Sequence, residues 1–186
     1  MERMKGHAPA EGIRVFTVGH SILGAEAFLA RLESHGIEVL ADVRRFPGSR
    51  RYPQFGAEAL ASGLKGKGID YVWLAGLGGR RRDLPAAEHL GWNNPSFRSY
   101  AAHTWSEEFA DGLAELLGIA GGARTAIMCS ELPWWRCHRA LISDVLLFLG
   151  AEVLHIMGDG AAKPHPFTGP ARVVDGELAY PTVTPQ

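Results

Sequence analysis

Cysteine is scarce in this chain, with two in 186 residues. That argues against a disulfide-stapled secreted scaffold and leaves stability to a hydrophobic core, which a chain of this length is large enough to build. Net charge is also nearly absent: 19 Lys and Arg stand against 20 Asp and Glu, a formal net charge of -1. No global field draws the protein onto nucleic acid, so any attraction for anions must come from local clusters. Long apolar runs are missing. The longest, DVLLFLG, is far too short to span a membrane, and the opening MERMKGHAPAEG holds no apolar run that could serve as a signal peptide. The expectation is a cytoplasmic protein with no membrane contact. No internal repeat or low-complexity block is visible.

What the sequence has is alternation. Apolar residues are 46% and charged residues 21% of the chain, an ordinary globular balance. Short apolar runs at 14–20 (RVFTVGH), 37–44 (IEVLADVR), 70–77 (DYVWLAGL), 124–129 (RTAIMC) and 151–156 (AEVLHI) read as buried strands. Between them, 24–36, 55–68, 106–118 and 133–149 carry helical periodicity. Ser106 is placed to cap the third of these helices and Pro133 to start the fourth. Strands alternating with helices predict an α/β fold: one three-layer domain over residues 1–186, with a mostly parallel sheet covered by helices on both faces. Its core runs from about 13 to 157. An irregular insertion over about 78–105 holds a short helix near Phe97 to His103, and a Gly- and Pro-rich tail follows from about 158, with one edge strand at ARVV.

In an open parallel sheet, ligands bind beyond the carboxyl ends of the strands. That edge collects GHS after the first strand, DVRRFPGSRR after the second, GLGGRRR after the third and CSELPWWRCHR after the fourth, with His155 in the fifth. The polar and reactive residues thus converge on one edge. In CSELPWWRCHR, Cys129 sits where a strand ends ahead of a helix N-terminus, and the helix dipole and nearby arginines favour its thiolate, the nucleophilic form. Burial as a core thiol is the competing reading. Cys137 and His138 are expected in the second turn of that helix, about 100° apart, so that only one faces the edge. Cys129 and Cys137 with His20 or His155 offer mixed sulfur and nitrogen metal ligands, though the spacing is not that of a common zinc module. A disulfide between the two cysteines is a third alternative. Trp134 and Trp135, adjacent on a helix, cannot share a face; either one enters the core and the other is left to stack on a base, a ring or a partner, or both rings pack against the insertion.

DVRRFPGSRRYPQF sets Arg44, Arg45, Arg50 and Arg51 among Phe46, Tyr52 and Phe55. Arginine forks suit phosphate or carboxylate oxygens and interleaved aromatics suit bases. The alternative is that these arginines pair with Asp42, Asp83 or Glu131. Asp42 is placed to orient an arginine or act as a general base, and His20 to transfer protons.

Together, TVGHS, DVRRFPGSRR, YVWLAGLGGRR, FRSYAAH and CSELPWWRCHR resemble the motifs of the domain of unknown function 488 family, over about Phe16 to Ile156. The resemblance implies a set of site positions: Thr17, His20, Ser21, Asp42, Arg44, Pro47, Ser49, Arg98, Tyr100, Cys129, Glu131, Cys137, His138 and Arg139. The chain departs from the pattern at Leu132 to Trp135, where polar residues are usual, and near Trp73 and Gly76, where the family often has a histidine and an acid.

The leading expectation is an enzyme with no cofactor. Cys129 attacks, Glu131, His20 or Asp42 handle protons, and Thr17, Ser21, Arg44, Ser49, Arg50, Arg98, Tyr100, Cys137, His138 and Arg139 bind the substrate. That substrate is an anionic ligand, a nucleotide or nucleic acid. The alternatives are a non-catalytic nucleotide- or nucleic-acid-binding module with structural cysteines, and a metal site using Cys and His.

Overall fold

A computed structural model describes residues 9–48, 50–81, 89–158 and 160–182. The sheet is built from β1 (Arg14–Gly19), β2 (Val39–Asp42), β3 (Asp70–Trp73), β4 (Thr125–Cys129), β5 (Glu152–Ile156) and β6 (Lys163–Pro164), in the order β3-β2-β4-β1-β5-β6. β1 to β5 are parallel and β6 is antiparallel to β5. The helices are α1 (Ala25–Ser34), α2 (Ala57–Lys65), α3 (Pro95–His103), α4 (Glu107–Ala120) and α5 (Arg139–Phe148). This is the three-layer, mostly parallel α/β arrangement that the alternation predicts. No described helix is long and apolar enough to cross a membrane.

Strand residues alternate between two cores, as a period of two requires. Phe16, Val18, Leu40, Ala126, Met128 and Ile156 pack with Phe28 and Leu32 of α1 and Leu60 and Leu64 of α2. Val15, Ala41, Ile127 and Val153 pack with Leu113 and Leu116 of α4 and Leu141 and Val145 of α5. α4 starts where Ser106 caps it, its hydroxyl accepting from the Phe109 N–H at 3.2 Å.

Two expectations need correction. The segment 133–149 is not one helix. A 3-10 turn over Trp134–Arg136 is followed by Cys137 in extended backbone (φ −142°, ψ 170°), and α5 begins only at Arg139. Proline at 133 starts a turn rather than the helix, and burial of the Cys137 side chain overrides the helical period. The helical phase argument that separated Cys137 from His138 therefore does not apply. The ARVV strand is real, as β7 (Arg172–Val174), but it does not edge the main sheet. It pairs with β8 (Glu177–Ala179), joined by Asp175 and Gly176, both at positive φ (52° and 77°), which makes a primed hairpin turn. The tail then packs Tyr180 into the core beside Trp92.

β1 and β4 lie side by side, Gly19 opposite Cys129. The chain leaves β1 toward β2 and leaves β4 toward β5, on opposite sides in the strand order. Their ends are thus a point where the order reverses, the place where such sheets open a crevice.

Candidate active site

A cleft of about 680 Å³ opens above these two strand ends. Its floor carries Cys129, Cys137 and His138, and its walls carry His20, Ser21 and Glu131. The two loops at the floor are fastened main chain to main chain. The His20 N–H donates to the Cys129 carbonyl at 3.1 Å and the Ser21 N–H to the Ser130 carbonyl at 2.8 Å. Gly19 permits this approach, because a Cβ there would stand 1.9 Å from the Glu131 carbonyl oxygen. Ser21 has φ 48°, a left-handed conformation that non-glycine residues adopt at a cost, and one that clusters at functional sites.

Cys129 is 6% exposed. Its sulfur lies 4.0 Å from His138 Nδ1 and 3.9 Å from the Ser130 hydroxyl. The tautomer of His138 follows from its other nitrogen: Nε2 lies 2.7 Å from the Val43 carbonyl oxygen, which only accepts, so Nε2 carries the hydrogen. In the neutral ring the Nδ1 lone pair then faces the thiol. Gly79 leaves room for this ring, since a Cβ at that position would sit 2.6 Å from Nδ1. The Cys129 thiol is driven well below its usual range by donation from the Cys137 thiol, despite burial, and by His138 and Arg139. Burial and the neighbouring sulfur push Cys137 the other way and keep it a thiol.

Arg139, 1% exposed, ties the floor together. It donates to Cys137 Sγ at 3.1 Å, to the carbonyl of Leu132 at 3.3 Å, to that of Glu131, and weakly to the Thr17 hydroxyl at 3.5 Å. A buried line of hydrogen bonds continues behind it. Thr17 Oγ1 lies 2.7 Å from His155 Nδ1, His155 Nε2 lies 2.9 Å from His165 Nδ1, and His165 Nε2 lies 3.0 Å from Asp144 Oδ1. Asp144 also accepts from the N–H and hydroxyl of Thr168. Arg139 can only donate, so the Thr17 hydroxyl accepts from it at the near end of the line. Burial, His165 and Arg139 lower the His155 pKa to about 3. Trp134 stacks on His155 at 4.3 Å, ring on ring, while Trp135 is 54% exposed.

The arginines divide. Arg44 is clamped by Asp42, with Nη2 to Oδ2 at 2.5 Å and Nε to Oδ1 at 2.9 Å, and Tyr71 adds a hydroxyl donor to the same carboxylate at 2.8 Å. Arg81 pairs with Glu108 at 2.6 Å and with the Gly78 carbonyl. Arg45, Arg80 and Arg136 are exposed, line the cleft and make no ion pair among the described residues. Phe46, 62% exposed, stands on the rim with the Arg45 guanidinium 5.8 Å from its ring centre. Phe97 and Tyr52 add aromatic wall. His20 presents an unused acceptor. Its Nδ1–H donates to the Ser21 carbonyl at 3.1 Å and its ring stacks on Phe55, while buried Nε2 finds no partner among the described residues. Burial and Arg44 lower its pKa, so that nitrogen stays a lone pair.

The cleft thus gathers His20, Ser21, Arg44, Tyr100, Cys129, Glu131, Cys137 and His138 from the residues singled out in the sequence. Asp42 lies behind it, fully buried and engaged by Arg44. Thr17 and Arg139 sit beneath the floor. Pro47, Arg50 and Arg98 do not line the cleft; Pro47 accepts from Arg44 and Arg98 donates to the Trp92 carbonyl. Ser49, Arg82 and Asp83 lie outside the described residues. Trp73 donates its indole N–H to the Arg44 carbonyl at 2.9 Å. Sequence reasoning passed over Asp144 and His165. A polar pair, Ser143 and Asp144, inside the apolar run ALISDVLLF was the available signal for the first; His165 had none.

Cys129 Sγ, Cys137 Sγ and His138 Nδ1 lie within 4.8 Å of one another, close enough to converge on one metal ion. Among protein-family models, the one described as Domain of unknown function DUF488 matches residues 24–146. No curated protein and no solved structure matches the chain.

Proposed function

We propose, for a chain that belongs to the family described as Domain of unknown function DUF488, an enzyme in which Cys129 attacks an anionic substrate, a nucleotide or nucleic acid. One observation carries this reading: the lone pair of His138 Nδ1 faces the Cys129 sulfur at 4.0 Å while the Val43 carbonyl fixes the opposite nitrogen as the donor. That is a nucleophile, a base and a group that orients the base. His138 takes the thiol proton and Cys137 donates to the resulting thiolate. Arg45, Arg80 and Arg136, which make no ion pair among the described residues, offer guanidiniums to phosphate oxygens, and Phe46 and Phe97 offer ring faces to a base. His20 Nε2 accepts from a donor on the ligand. Glu131, exposed at the wall, exchanges protons with solvent. Asp42 acts through Arg44 and does not reach the cleft. Both cysteines are free thiols, the state maintained in a reducing compartment such as the cytoplasm.

Alkylation of the reduced protein by iodoacetamide at neutral pH tests the nucleophile. Cys129 is expected to react at least about tenfold faster than a free model thiol; a rate no faster overturns the reading. Binding of nucleotides and short oligonucleotides, followed against salt, tests the substrate class, since phosphate contacts weaken steeply as salt rises. If Cys129→Ser leaves every function intact, the protein is a binding module and not a thiol enzyme.

The sulfur and nitrogen cluster also favours a second reading, a divalent ion that Cys129, Cys137 and His138 would hold. Elemental analysis of the purified protein decides it: a stoichiometric ion supports the metal, and none removes it.

A further inference from the structure

We propose that Cys129 and Cys137 act as an attacking and a resolving thiol toward small hydroperoxides, closing an intramolecular disulfide across the cleft floor. The proposal rests on the reading of Cys129 as a nucleophile. A nucleophilic mechanism alone needs one sulfur, yet the chain brings its only two cysteines to the same floor. Their sulfurs lie within 4.8 Å of each other. Cys137 stands outside any helix, in extended backbone between a 3-10 turn and α5. Closing the gap to a sulfur–sulfur bond of about 2 Å therefore needs side-chain rotation and a small shift of that link, with no helix to unwind. Had the segment 133–149 been one helix, as its sequence suggests, Cys137 would have been held by it.

The chemistry balances with the peroxide as oxidant. The Cys129 sulfur attacks one peroxide oxygen and the O–O bond breaks. The other oxygen leaves as an alcohol, or as water from hydrogen peroxide, carrying the proton that His138 Nδ1 took from Cys129. Cys129 is now a sulfenic acid and the peroxide is reduced by two electrons. The Cys137 sulfur then attacks the Cys129 sulfur, its S–H proton joins the departing hydroxide, and water and the disulfide remain. An external dithiol returns the pair to thiols by exchange. Arg139, which donates to Cys137 Sγ at 3.1 Å, holds the resolving sulfur in place before the second step. The oxidised pair has no free thiol at the cleft floor, so the same event switches off attack on any other substrate.

The experiment uses the full-length reduced protein, treated with a chelator, and one equivalent of hydrogen peroxide. Intact-mass spectrometry is expected to show the loss of two hydrogens per chain. Two titratable thiols should vanish together, iodoacetamide labelling should be lost, and dithiothreitol should restore all three. In Cys137→Ser, Cys129 is expected to stop at a dimedone-reactive sulfenic acid or run on to the sulfinic acid. Added oxygen on wild-type Cys129 with Cys137 still titratable overturns the proposal. So does a disulfide between two chains, or no reaction at all. If Cys129 is alkylated rapidly but no internal disulfide forms, the resolving role alone fails. If alkylation is no faster than that of a free thiol, the nucleophile reading fails with it.

Discussion

Three arginines of this site are locked and three make no ion pair among the described residues, and they come from the same three stretches of sequence. Arg44 is buried against Asp42 while Arg45, the next residue, is exposed on the cleft. Arg81 is buried against Glu108 while Arg80 faces the cleft at φ 57°. Arg139 is buried under the floor while Arg136 lines the rim. Each basic stretch thus supplies one guanidinium as scaffold and one that makes no ion pair among the described residues. A buried cation must be paired, because desolvation makes it costly otherwise; an exposed one is left available to a ligand. Of the six arginines in these three pairs, only three stand exposed on the cleft.

The largest test of this division is to strip a locked arginine of its partner. Asp42→Ala leaves Arg44 buried and uncompensated and is expected to cost about 3–5 kcal/mol in urea unfolding; a loss below about 1 kcal/mol would show that Arg44 is not locked. Next comes Gly79→Ala, one residue before the free Arg80. Its Cβ would collide with His138 Nδ1, at a cost of about 1–3 kcal/mol, and Cys129 alkylation should slow because the imidazole is displaced. Alkylation at the wild-type rate would remove His138 from its role as base.

A third test concerns acid. The folded pKa of His155 is about 3, below the ordinary 6.5, so at pH values between these the unfolded chain binds the proton and the folded one does not. Stability is fully present above about 6.5 and is lost as pH falls toward 3, with a slope of up to about 1.4 kcal/mol per pH unit. Urea midpoints at pH 7 and pH 5 measure it, and His155→Asn should reduce the difference. An equal difference in the variant would place the acid sensitivity elsewhere, with His103, lowered to about 4 by burial, as the next candidate. The smallest effect on stability belongs to the free arginines. Arg45→Ala, Arg80→Ala and Arg136→Ala should each shift unfolding by under about 0.5 kcal/mol. Each should also reduce the log–log salt slope of oligonucleotide binding by about one. A large stability loss in any of them would move that residue to the locked set.

The division was not legible in the sequence, and the reason is physical. Whether Arg44 or Arg45 turns inward is decided by Asp42 at the end of β2 and Tyr71 on the neighbouring strand, and the fate of Arg81 by Glu108 on α4. Tyr71 and Glu108 are distant in the chain, and although Asp42 was legible as a partner for an arginine, which arginine it takes was not. Strand existence and order of type were legible, because runs such as VFTV and AIM read as buried β structure wherever they sit. The convergence of loops at one edge followed from parallel strands. The 133–149 segment was misread because proline, periodicity and a terminal glycine all favour helix, while the extended Cys137 answers to Arg139 and to its burial beneath the cleft. The hairpin at 172–179 had a usable signal, Asp-Gly between β-prone residues, that an irregular reading of the tail passed over.

The fastening of the β1 and β4 loops has a further consequence. Cys129 is anchored through its own carbonyl, and the next residue through its, to the main chain of His20 and Ser21. Nothing in that anchorage depends on which side chains surround the sulfur, apart from the bare glycine at 19. Rim residues can therefore be exchanged without moving the Cys129 backbone from its place between the ends of β1 and β4.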